Sequence, residues 1–103
     1  MPHELKRLTL VAPRALEDDL VSVLLEMQPA LPGFTSAHVA GHGEGFARAR
    51  IAERVQGRID RVLLWLVLPA STADRVISRL CTALPQSDVV WWVEPVEQMG
   101  RLA

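Results

Sequence analysis

The segment Arg61–Pro69, RVLLWLVLP, constrains the fold more than any other part of the chain. From Val62 to Leu68 every residue is apolar, so a strand formed here must bury both of its faces. The run is far too short to span a bilayer as a helix, and it ends at Pro69. DVVWWVEPV at 88–96 repeats the pattern, and its adjacent Trp91 and Trp92 point to opposite faces of a strand. A chain of 103 residues supports one small domain, spanning 1–103, with limited surface buried. Two strands that are apolar on both sides need cover that a one-sided helix layer does not supply. A further copy of the chain is the simplest source, and a hydrophobic content of 50% agrees with extra apolar surface going into an interface.

The remaining elements follow from periodicity. LKRLTLVAP (5–13) reads as a strand ended by Pro13. RALEDDLVSVLLEMQ (14–28) spaces Leu16, Leu20, Val23, Leu24 and Met27 as a helical stripe, with Glu17, Asp18 and Asp19 at the positive end of the helix dipole. QPALPG (28–33) ends it. FTSAHVAGH (34–42) reads as a second strand, with Phe34, Ser36, His38, Ala40 and His42 on one face and Thr35, Ala37 and Val39 on the other. STADRVISRLCTALP (71–85) is a helix with stripe Ala73, Val76, Ile77, Leu80, Cys81 and Leu84, and Ser71 with Asp74 forms a capping-box pattern. Cys81 on that stripe predicts a buried, inert thiol. The order β-α-β-β-α-β predicts an α+β, ferredoxin-like fold: a four-stranded antiparallel sheet with two helices on one face.

Several function classes drop out. A net charge of −1 argues against a nucleic-acid binder. One cysteine cannot form an internal disulfide, which suits a reducing compartment, and the sequence shows neither a signal-peptide core nor a run of membrane-spanning length. A cytoplasmic protein without direct membrane insertion is expected. No Cys-His or Ser-His-Asp constellation stands out, and the carboxylates fall mainly in first helical turns, so no enzyme activity is expected.

Between the second and third strands lies AGHGEGFARAR (40–50). Gly41, Gly43 and Gly45 suit either backbone approach to a phosphate or a loop root with positive φ angles. The spacing matches neither a P-loop nor a dinucleotide fingerprint. Arg48, Arg50 and Arg54, with Arg58 and Arg61, concentrate five of the eleven basic residues in fourteen positions. They offer a surface for an anion or an acidic partner, or a solvated face balanced by Glu44, Glu53 and Asp60.

GFTSAHVAGHG (33–43) and VVWWVEPVEQMGRL (89–102), with this element order and the long excursion between strands two and three, resemble a small branch of PII-like bacterial proteins. The resemblance extends to the PII and CutA types and covers nearly the whole chain. It implies a homotrimer and a partner-docking loop at 41–60. It also implies effectors such as adenine nucleotides in clefts between subunits, and a link to heavy-metal efflux. The connection LPAST holds no glycine, a departure from the glycine-rich phosphate loop of nucleotide-binding members.

Within one subunit, His38 and His42 lie roughly 13 Å apart along a strand, too far to share a metal. Around a threefold axis, one histidine per chain can converge on an ion, and His42 is the candidate. His38, Trp65, Trp91 and Trp92 are assigned to the subunit interface. The expected function is signalling: a small effector or a divalent metal biases the 41–60 loop, which contacts a protein partner such as a metal-efflux transporter. The rivals are a CutA-like metal-tolerance protein that coordinates metal through His42, and an oligomerisation module with no ligand.

Overall fold

A computed structural model of the protein describes residues 4–42 and 59–102. Strand β1 runs Leu5–Pro13, a 3-10 turn covers Arg14–Leu16, and helix α1 spans Glu17–Leu25. Strands β2 (Thr35–Gly41) and β3 (Ile59–Pro69) follow, then helix α2 (Ala70–Ala83) and strand β4 (Val90–Pro95). The strands form one antiparallel sheet in the order β2-β3-β1-β4. This is the expected ferredoxin-like α+β architecture, and β1 has the bounds read from the sequence.

Parity divides the sheet. Leu8, Leu10 and Ala12 of β1, with Val62, Leu64, Leu66 and Leu68 of β3, face the helices. They pack on Leu20 and Leu24 of α1, Met27 just beyond it, and Ala73, Val76 and Leu80 of α2. These side chains are almost fully enclosed, each contributing about 1.5–3 kcal/mol of transfer free energy where it is large and aliphatic. The opposite parity, including Thr9, Val11, Leu63, Trp65, Val67 and Trp92, forms a second face that neither helix covers.

Three local details differ from expectation. The first helix begins as a 3-10 turn, and its α-helical part starts at Glu17, so the three acids occupy the first α-helical turn. The capping box at Ser71 and Asp74 does not form, because α2 starts at Ala70, directly after β3. The Ala70 N–H donates instead to the Glu4 carbonyl at 2.9 Å, so the chain before β1 satisfies that donor. Cys81 is exposed rather than buried, because it lies at the margin of the α2 stripe beside a groove next to β4.

Candidate functional site

The candidate site is the uncovered face of the sheet together with the root of the 41–60 loop, which opens from one end of it. Its position follows from register. The β2–β3 ladder pairs Gly41 with Ile59, so residues 42–58 connect two paired positions. A hairpin needs only about two to five residues for such a connection, so its length exceeds what the ladder requires.

At the root, Gly41 lies against Arg61. A Cβ at position 41 would lie 3.1 Å from the Arg61 Cγ and 3.5 Å from the Ile59 carbonyl oxygen. The glycine is therefore needed for space, and its φ lies outside the left-handed region. Neither sequence alternative describes this position: the close neighbour is the Arg61 side chain, and no positive φ is required. The Arg61 side chain is only 12% exposed, and its Nη1 donates to Asp88 Oδ2 at 3.5 Å. Charge-assisted bonds of this type are usually about 2.7–2.9 Å. The contact is loose, and a guanidinium carries five donors. His42, next along the chain, is exposed.

Farther along the same face, the ladders align Thr35, Trp65, Thr9 and Trp92 in one row across all four strands. Trp92 Nε1 donates to Glu94 Oε1 at 2.9 Å, and Arg7 Nη2 and Nε donate to the same oxygen at 2.9 and 3.3 Å. The hydrogen bond from Arg7, then that from Trp92, holds the Glu94 carboxyl below its ordinary range. Thr9 is fully buried in the middle of this row, and its Oγ1 has no hydrogen-bond partner among the described residues.

The other sequence candidates divide as follows. Trp65 and Trp92 share the uncovered face. Trp91, 48% exposed, sits on the helix side and lines the groove beside Cys81. His38 is also on the helix side, where its Nε2 lies 2.8 Å from Glu17 Oε1. Gly43, Gly45, Arg48, Arg50 and Arg54 lie outside the described residues. Among the described residues, no three metal-ligating side chains cluster. Arg7, Glu94 and Asp88 are additions to the sequence candidates, and Arg61, read from the sequence as one of the clustered arginines, gains a partner in Asp88. Each interrupts or borders an otherwise apolar strand, but only the register shows which of them meet.

A family model described as "Protein of unknown function (DUF3240)" matches residues 3–103. No curated protein matches the sequence. Among solved structures, a DUF3240 family protein from Shewanella baltica is 21% identical, with a TM-score of 0.78 and full coverage of both chains. A putative PII-like signaling protein from Thermus thermophilus is 27% identical, with a TM-score of 0.62, over 91% of this chain and 88% of its own. CPII from Thiomonas intermedia, a nitrogen regulatory PII-like protein solved with ADP, AMP and bicarbonate, is 16% identical, with a TM-score of 0.70 over 98% of each chain. The fold is thus that of PII-like proteins. No described helix is long and apolar enough to cross a membrane.

Proposed function

The chain belongs to the DUF3240 family, and from that premise we propose that it is a trimeric regulatory protein of the PII-like kind. Its 41–60 loop contacts a protein partner under the control of a small effector. The observation that carries this reading is the closure of the ladder at Gly41 and Ile59, with the part-buried Arg61 packed against Gly41. The ladder needs only a tight turn between Gly41 and Ile59, yet residues 42–58 join them in the sequence, and Arg61, whose guanidinium carries five donors, lies beside Gly41. An anion that engages Arg61 competes with Asp88 and biases the loop root. An effector acts only through such a difference between states.

The effector class follows from these donors and from the similar proteins: an adenine nucleotide or a small oxyanion such as the bicarbonate of CPII. A divalent metal on His42 from three copies is the competing effector. The partner class is a transporter, of the metal-efflux kind, or another protein. Three uncovered faces meeting at the centre of the trimer would bury Trp65, Trp92 and the half-buried Val11, Leu63 and Val67. The protein needs no catalytic step for this role.

The test is native mass spectrometry of the protein alone and with ATP, ADP, AMP, bicarbonate, copper and zinc. The expected result is a trimer that takes up an anionic ligand in fixed stoichiometry, with uptake lost in Arg61→Ala. One metal per trimer, lost in His42→Ala, would replace this reading with metal tolerance. A trimer that binds none of these would leave an oligomerisation module, and a monomer would remove the architecture on which the proposal stands.

A further inference from the structure

The margin of the sheet at β4 carries a second feature, on the helix side and away from the loop root. A groove of about 260 Å³ lies between α2 and β4, walled by Leu80, Cys81, Leu84, Val89 and Trp91 with Leu10 at its base. Trp91 and its neighbour Val90 are 48% and 57% exposed. β4 is also a sheet edge, pairing only with β1 among the described strands. Val90–Val93 of this edge are apolar and invite pairing with another chain, whereas Glu94 and Pro95 close its far end.

The same molecule holds a segment with matching properties. Residues 96–102, VEQMGRL, follow β4 and adopt no regular structure. Val96 is fixed by a hydrogen bond from its N–H to the Leu5 carbonyl at 3.0 Å. Beyond it, Met99 is 59% exposed and Leu102 is fully exposed, both projecting into solvent. The segment leaves β4 at the end opposite the groove, since Pro95 pairs with Lys6 whereas Trp91 pairs with Leu10. Residues 97–102 extend roughly 20 Å, which matches the length of the six-residue β4 edge.

We propose that residues 97–102 of one copy dock along the β4 edge of a second copy, with Leu102 seated in the groove beside Cys81 and Trp91 and Met99 turned to the opposite face of the sheet. This is strand addition to a free edge: backbone groups give the pairing, and the groove gives the specificity. Donor segment and acceptor groove are different surfaces of one chain, so the contact is head-to-tail. A head-to-tail contact that closes makes a ring. The contact deepens the trimer reading and rests on it for the number of copies.

The test uses the full chain with Leu102→Cys, whose only other thiol is Cys81. Diamide takes two electrons and two protons from a pair of thiols that lie in contact, joining them as a disulfide. A head-to-tail ring gives linked dimers and then linked trimers on a non-reducing gel, and Leu102→Cys in a Cys81→Ser background gives no such series. In a parallel experiment, Leu102→Glu weakens assembly by about tenfold or more in subunit dissociation constant. It also speeds reaction of Cys81 with a thiol reagent, while far-UV circular dichroism stays unchanged. Absence of a link in a protein whose mass is trimeric overturns the docking and leaves the trimer standing. A linked dimer that never extends overturns the head-to-tail geometry. A monomeric mass removes the docking and the trimer together.

Discussion

Gly41 and Arg61 are packed so closely that one added methyl group on the glycine would press on the arginine stem, 3.1 Å from its Cγ. Cγ lies near the backbone and cannot swing away freely. Gly41→Ala therefore destabilises the protein by about 1 kcal/mol, the lower end of the cost of overpacking. The entropy gained by replacing glycine offsets part of that cost. In an Arg61→Ala background the crowding is gone, and the same substitution becomes neutral or favourable. Urea unfolding of the two single variants and the double variant measures the coupling, expected at roughly 0.5–1 kcal/mol. Simple additivity would show that the two residues do not press on one another.

Thr9 presents the opposite case, a buried group with too few contacts. Its hydroxyl is enclosed between Trp65 and Trp92 in the same cross-strand row and has no partner among the described residues. Thr9→Val keeps the shape and removes the unsatisfied oxygen. It should stabilise the protein by about 1 kcal/mol, which for a domain of this size raises Tm by about 4–8 °C. A fall in Tm would mean that a ligand or a second copy completes the hydroxyl's hydrogen bond in solution.

The fold was legible because its signals are local. The two doubly apolar strands, the period-3.6 stripes and the proline and glycine breaks each act within about a dozen residues. They placed all six elements in order, with β1 at 5–13. The errors are also local, and each has a physical cause. Ser71 looked like a cap, but the helix starts directly after Pro69, so Ser71 lies inside its first turn. Cys81 looked buried by periodicity, but it lines an open groove beside β4 and is exposed. The site was less legible because it depends on register. Arg7 and Glu94 lie far apart in the sequence, as do Arg61 and Asp88, and no spacing rule brings them together. The tryptophans were correctly placed on opposite faces, since adjacency alone decides that. His38 follows the parity read from the sequence, but its contact with Glu17 required knowledge of where α1 lies.

Glu94 gives a pH signature. Its carboxyl is held below the usual value of 4.5, first by the Arg7 hydrogen bond and then by that of Trp92. A carboxyl with a depressed folded-state pKa contributes stability above its unfolded-state pKa and loses it as pH falls through the folded-state value. Glu94→Gln keeps an acceptor for Trp92 and removes the charge facing Arg7. The stability difference between the natural protein and the variant should therefore be constant from pH 7 to about pH 5.5. It should shrink on further acidification. Thermal melts in low-salt buffers across that range read it directly, and added salt should reduce it because the group is solvent-exposed. A difference that stays flat into acid would show that Arg7 does not perturb Glu94.

The last prediction separates the sheet from the segment it projects. The ladder already brings Gly41 and Ile59 together, so replacing residues 42–58 by Asn-Gly supplies the two-residue turn that such a ladder accepts. If those residues serve only the proposed effector and partner, the shortened chain folds and assembles as before. It should also gain stability, because shortening a loop through about three halvings lowers its closure cost by roughly 2 kcal/mol. Ligand uptake and capture of the partner should both be lost, although Arg61 and Asp88 remain in place. The measurements are Tm, mass in solution and ligand binding on one preparation. Loss of assembly with the segment would instead place residues 42–58 in the subunit contact. Retained ligand uptake would confine the effector site to the root, at Arg61 and Asp88, and leave the segment only its part in partner binding.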